Sequence, residues 1–285
     1  MNTKVKKPFS WGTLAARICM ILASILVLVP FLMLFLTATK TNEEFYAGIW
    51  TLPHNILKSL PENLSQAWAE AQMGIGYFNS VIVSVLALIL TLAMGAMAAY
   101  EIGRRHLKHE QFFSNFFLVG LLVPAMVGLT PSFYVARALG LFDTRTILVI
   151  MYTAMEIPFT VFVMTSFARS IPSELEEAAY IDGASLWKAF LTIILPLMRP
   201  AFVAAGIFAF LDNWSEYMYG LMFLVTPAKK TVAMNILQFK VGTGVKVNWG
   251  VTTGACVIFI LPVLIVYIIF QDKIMGGLTA GSVKG

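Results

Sequence analysis

Charge is scarce in this sequence. Asp, Glu, Lys and Arg make up 12% of its 285 residues, 59% are hydrophobic, and the mean hydropathy is +0.80. A soluble domain carries about 25% charged residues. No water-soluble fold of this length hides so much apolar side chain, so lipid is the expected solvent. Cysteine is scarcer still. Cys19 and Cys256 both lie inside apolar runs, with no CxxC pair and no histidine at ligand spacing, which excludes a zinc site and a disulfide framework. They read as small buried hydrophobes, and no metal or cofactor is implied. The three histidines, His54, His106 and His109, fall in connections, and the last two flank Lys108 on a solvated basic turn. There is no GxxxxGK loop followed by Ser or Thr to cradle phosphates, so the chain does not hydrolyse ATP itself. HExxH and GxSxG are also missing, which argues against a membrane-embedded enzyme. Ten-residue alternation of apolar and polar residues is absent, so a β-barrel is excluded. Basic residues are spread between apolar blocks rather than gathered, which suits membrane anchoring and not nucleic acid.

What is present is a set of long apolar runs. About 20 apolar residues cross the hydrocarbon core, and segments 14–38, 78–100, 112–138, 147–168, 197–224 and 250–271 each suffice. The first is too long for a signal-peptide core and lacks a small-residue cleavage pattern, so it counts as a span. The reading is an all-α membrane protein of six transmembrane helices in one bundle. The 15 methionines scatter through the spans as packing residues, and Gly95 and Gly103 do not form a GxxxG pair.

Orientation follows from the basic residues. With the N-terminus inside, the cytoplasmic segments hold twelve of the 20, including Lys4, Lys6, Lys7, Arg104, Arg105 and Lys284. Lys229, Lys230, Lys240 and Lys246 in one exterior connection count the other way, but the first segments dominate. Both termini are therefore expected in the cytoplasm.

Two connections are long. Residues 40–77 form an exterior loop, and residues 169–196 an interior one with the densest charge in the chain. In the interior loop Ser173 and Glu176 have capping-box spacing, which predicts a short helix. Asp182-Gly183 ends it, and Ser185 starts a second helix running toward Pro196. Ala178 and Ala179 give the first helix a small face, and Glu177 and Asp182 give it charge for a basic partner. A hairpin resting on lipid headgroups is the other reading, although its acidic residues fit an anionic surface poorly.

Glu177-Ala178-Ala179, then Gly183, Ile193, Leu195 and Pro196 at their spacing, resembles the EAA loop of ABC importer permeases. The C-terminal run from Gly277 through Thr279 and Gly281 is similar to the tail of the second permease subunit in carbohydrate importers of the maltose type. Asn79-Ser80 and Asn248-Trp249-Gly250 at the openings of two spans are similar too. The resemblance implies a type-1 importer permease bundle in a bacterial or archaeal cytoplasmic membrane. It divides the chain into an N-terminal part (1–71), a transport core (72–267, with the loop at 171–196) and a cytoplasmic tail (268–285). It also implies partners: a second related permease, two copies of an ATPase, an extracytoplasmic solute-binding protein and a carbohydrate cargo. Glu177, Ala178, Ala179, Gly183, Ile193, Leu195 and Pro196 would meet the ATPase, and Gly277, Thr279 and Gly281 would reach between its copies.

Ionisable groups inside spans are costly and point to function. Glu156 lies near the middle of the fourth span, two residues before Pro158. Asp212 and Glu216 stand four apart on the fifth, around Asn213 and Trp214. Glu156, Asn213, Trp214, Glu216 and Tyr217 are of the types that bind sugar hydroxyls and faces. Subunit packing, or pairing with Arg137, is the alternative for the fifth-span group. A proton- or sodium-coupled secondary transporter is the rival function, but six spans without a clear repeat are few for one.

Topology is directly testable. Single cysteines at Ser173 and Lys284 should react with an impermeant thiol reagent only after cells are opened, and one at Glu62 should react from outside. Labelling of position 284 in intact cells would overturn the six-span arrangement.

Overall fold

The protein, analysed as a computed structural model, is described for residues 11–104, 108–241 and 247–280, with side chains omitted at 240–241 and 272–280. Lys4, Lys6, Lys7, Arg105, His106, Lys246, Gly281 and Lys284 lie outside the described residues. All regular structure among those described is helical, and four helices are long and apolar enough to cross a membrane, or up to six if each of two bent pairs is one span.

The chain forms two compact units, Met1–Ala71 with Phe239–Ile258, and Gln72–Gln238 with Phe259–Gly285. The first unit opens with α1 (Trp11–Ala38), which buries only Thr37 and Ala38. A mostly apolar helix this exposed is stable because lipid replaces the missing protein neighbours. The carbonyls freed at its end are taken up locally. Asn63 Nδ2, on α3 (Ile56–Glu70), donates to the carbonyls of Ala38 at 2.9 Å and Lys40 at 2.8 Å. The Lys40 side chain is fully buried, and its ammonium donates to the carbonyls of Gly48 and Ile49 and to Thr51 Oγ1. It thereby serves the C-terminus of α2 (Asn42–Ala47), where a cation complements the helix dipole. At the other end of α2, Thr41 and Glu44 form a capping box, and Glu44 also accepts from His54 N and Nδ1. The backbone bond from His54, then that from Thr41, lower the Glu44 carboxyl to about 2.

The second unit is organised on two spans, α4 (Met73–Arg104) and α7 (Arg145–Ser170), which pack along their length. Small residues permit the approach. An added methyl at Gly95 would fall 2.5 Å from Thr160 Cγ2, one at Gly103 would fall 3.2 Å from Ala168 Cβ, and Ala99 between them is fully buried. Gly95, Ala99 and Gly103 thus form a small-residue ridge although α4 holds no GxxxG pair. Between these spans lie α5 (Glu110–Leu122) and α6 (Leu129–Ala138), so the third apolar run is not one straight helix. Pro124 ends the first arm, and the two arms meet at 92°.

After α7 come α8 (Glu174–Ile181) and α9 (Leu186–Ala189), then a π-helical stretch, Phe190–Ile194, and α10 (Leu195–Leu197). A turn of 71° leads into α11 (Arg199–Ser215). The fifth run, too, is broken: α11 stops at Ser215, and a separate short helix, α12 (Met218–Phe223), follows. The described chain closes with α13 (Val232–Val241) and α14 (Trp249–Ala280).

Candidate functional site

The interior loop builds a docking face from local signals and one distant contact. Pro172 ends α7, and α8 begins with three acidic residues in its first turn, where the helix dipole favours them. Gly183 has φ +79°, its N–H donates to the Tyr180 carbonyl, and that of Ala184 reaches back to Ala179 at 2.9 Å. This pair of bonds closes α8 as a Schellman motif, which needs a left-handed residue and explains the glycine. Ser185 then caps α9 by accepting from Lys188 N.

The expected Ser173–Glu176 capping box does not form. Ser173 is itself helical and makes no side-chain cap, and Glu176 is buried beneath α8. Its carboxylate accepts from Tyr100 Oη at 2.8 Å and pairs with Arg104 Nε. Arg104 also donates to the carbonyls of Ala168, Ile171 and Pro172. Arg104 and Tyr100 are functional candidates that sequence reasoning missed, since each pairs with residues about seventy positions on.

Ala179 faces inward and Ala178 outward, so the two alanines do not share the outer surface. Outward with Ala178 stand Glu177, Asp182 and Ile181, the last 86% exposed. Ile193 and Leu195 are half-buried against a core of Tyr100, Met164, Ala168, Phe190 and Ile194, and Pro196 is exposed. Gly277 and Thr279 lie on α14, whose backbone alone is described there, and Gly281 lies outside the described residues.

The polar residues of the spans separate into two kinds. Glu216 has extended backbone after α11, so it does not share a helical face with Asp212. Its carboxylate instead caps α12, accepting from Tyr219 N at 2.7 Å and Gly220 N at 3.3 Å, and receives the Tyr152 hydroxyl at 2.8 Å. Trp214 is 2% exposed, donates to the Phe259 carbonyl and packs against Tyr77, Phe210 and Phe259, so it offers no platform to a solute. Asn213 is buried, with Nδ2 unpartnered. Arg137 lies over the rings of Phe133 and Phe142 rather than beside these acids. Glu156 is different. It is 8% exposed, makes no hydrogen bond or ion pair among the described residues, and stands within reach of the charge on Asp212, which like Tyr217 is exposed.

Opposite ends of α4 are tied in different ways. At its start, Asn79 Nδ2 donates to the carbonyls of Ala228 and Lys230, and Ser80 Oγ accepts from Val232 N. The same connection is gripped by Asp143, at φ +56°, which accepts from Val225 N, Thr226 N and Oγ1 and Lys229 Nζ. Burial opposes ionisation of Asp143, but the bonds from Lys229, Thr226 and Val225 outweigh it and hold the carboxyl well below the usual range.

Residues 91–275 match the family described as binding-protein-dependent transport system inner membrane component. The chain belongs to this family. As an inner membrane component it is a multi-pass membrane protein, and it is similar in sequence to transport permeases along most of its length. The diacetylchitobiose uptake system permease of Streptomyces coelicolor is 34% identical over 265 residues, 93% of this chain and 87% of that protein. The trehalose/maltose transport system permease of Thermococcus litoralis is 30% identical over 93% of this chain and 94% of its own. In fold, the component superposes with a TM-score of 0.81, at 20% identity, on a chain from the crystal structure of a bacterial ABC transporter that imports the acidic polysaccharide alginate, covering 94% and 99% of the two chains.

The two kinds of intramembrane acid behave differently on substitution. Glu216→Ala leaves two N–H groups and a hydroxyl unpaired, and should destabilise the purified protein by about 2–3 kcal/mol, read as a lower unfolding midpoint in detergent. Glu156→Gln has no bond to lose and should keep its midpoint while lowering uptake about tenfold. The reverse pattern would exchange their roles.

Proposed function

We propose that this chain is a permease subunit of an ATP-driven carbohydrate importer. In that assembly it forms half of the solute path with a second, related permease. Two ATPase subunits supply the energy, and an extracytoplasmic solute-binding protein delivers the cargo. The observation that carries the reading is the α8–Gly183–α9 hairpin: a back wedged against α4 and α7, and an outward face bearing Glu177, Ala178 and Ile181 in a chain of this family. Relatives named for diacetylchitobiose and for trehalose and maltose support a saccharide cargo.

Both termini lie in the cytoplasm in this reading, which puts the hairpin on the ATPase side. Glu177 meets a basic group there, Ala178 lets the surfaces approach, and Gly183 sets the angle between α8 and α9. Ala179, Ile193, Leu195 and Pro196 shape and brace the hairpin from behind. Gly277, Thr279 and Gly281 belong to the tail that reaches the ATPase pair. The transport core spans 72–267. Glu156, Asn213 and Tyr217 are the groups proposed to meet the solute, with Asp212 beside Glu156, whereas Trp214 and Glu216 hold the helices that frame the path.

Glu177→Lys and Gly183→Asp test the docking role. Charge reversal at an interface costs several kcal/mol, so the ATPase co-purifying with Glu177→Lys should fall about tenfold or more. At Gly183 an added Cβ meets open space within the chain, so the effect is the strain of positive φ, about 1 kcal/mol, plus bulk on the docking face. Both variants should insert normally yet lose uptake in reconstituted vesicles. Their ATP hydrolysis should no longer respond to loaded binding protein. Normal stimulation in both would leave the hairpin as an element resting on headgroups.

A further inference from the structure

Docking alone does not transmit force. If α8 hung on the short Ile171–Ser173 link, motion imposed on it would be absorbed by the link, because no local cap fixes its direction: Ser173 makes none. What fixes α8 is Arg104, the last residue of α4, outside the motif-bearing loop. Its side chain is 6% exposed and that of Glu176 10% exposed, so the pair is shielded from water that would otherwise exchange with its bonds. A planar guanidinium presents several donors in fixed directions. Here one edge meets Glu176 on α8, while the rest serve the carbonyl of Ala168, within α7, and those of Ile171 and Pro172 just beyond it. Those carbonyls end a helix, where a cation is favoured. Tyr100, one turn back on α4, donates to the same carboxylate and lies 3.4 Å from Tyr180 Oη on α8. Tilting α8 away from α4 or α7 would strand a buried charge and break several bonds together.

We propose that Arg104, with Tyr100 and Glu176, is the joint that makes the docking helix move as one body with α4 and α7. Displacement of α8 then becomes displacement of the two spans at the centre of the unit. Arg104 is a positioning residue: it touches neither solute nor ATPase, and acts through α8. The inference rests on the docking role given to the hairpin above.

The test uses the complete transporter in proteoliposomes, with three quantities read together: ATPase retained on purification, ATP hydrolysis, and solute taken up per ATP. Arg104→Gln and Glu176→Ala should retain the ATPase while solute per ATP falls about tenfold. Glu176→Gln keeps one acceptor oxygen for Arg104 Nε and turns an amide N–H toward Tyr100 Oη, but it lacks the charge, so it should recover part of the loss relative to Glu176→Ala. A merely structural role would lower yield, hydrolysis and uptake in proportion and leave solute per ATP unchanged. An unchanged ratio in Arg104→Gln, loss of its ATPase, or no recovery in Glu176→Gln overturns the joint. Glu177→Lys in the same series separates this from the underlying reading. If that variant loses its ATPase while Arg104→Gln keeps a normal ratio, the docking role stands and the joint falls. If Glu177→Lys behaves as the parent, the docking role fails and the joint with it.

Discussion

A helix that breaks in apolar surroundings exposes backbone N–H and C=O groups that neither lipid nor a packed core can satisfy. Much of this structure answers that constraint. At several points where the helical ladder stops, a polar side chain reaches in. Asn63 closes the end of α1, and the Lys40 ammonium the end of α2. Arg104 closes the end of α7, Glu216 the start of α12, and Asp143 and Asn79 the connection around residues 225–230. Ionisable groups are few in this chain, and Lys40, Arg104, Asp143 and Glu216 each hold a helix end or a connection. Glu156, mostly buried and unpaired among the described residues, stands out because it does not.

The same constraint explains how the hairpin is mounted. The close packing of α4 on α7 through Gly95, Ala99 and Gly103 makes those two spans a single thick element. Satisfying the carbonyls at the end of α7 from the end of α4 ties the pair at its tip, and Glu176 adds α8 to the tie. A buried pair of this kind is poor value as stability, since desolvating both charges offsets most of their attraction. Its worth lies in geometry: a network with every member satisfied permits one arrangement. The outer face of α8 is left exposed and the inner face fixed.

Local features were legible in the sequence, and contacts between distant segments were not. The turn at Gly183 and the cap at Ser185 depend on neighbours within a few residues, so spacing was enough to place them. The apolar runs marked the candidate spans, but a hydropathy average over some twenty residues does not register the break at Pro124, where composition stays apolar, or the one after Ser215, where Asp212, Asn213, Ser215 and Glu216 are diluted by apolar neighbours. Ser173 and Glu176 had the spacing of a capping box, yet Arg104, 72 residues away, claims the glutamate instead. Asp212 and Glu216 were placed on one face by helical periodicity, which ends at Ser215. Trp214 has the chemistry of a sugar platform and is spent on packing. The ridge on α4 escaped a search for paired glycines because its middle member is alanine. Asn79-Ser80 drew notice through a resemblance, and in the structure these residues hold the connection that leads to α13.

Under the proposed function this chain works only as part of a larger machine, its energy arriving through α8. Mass measurement of the complex purified by a tag on this chain from native membranes tests it most directly. The proposed function predicts one copy of this chain, one of a related permease and two of an ATPase, with uptake in vesicles that requires ATP and a binding protein. A chain that purifies alone and accumulates solute in vesicles carrying only a proton or sodium gradient would contradict it.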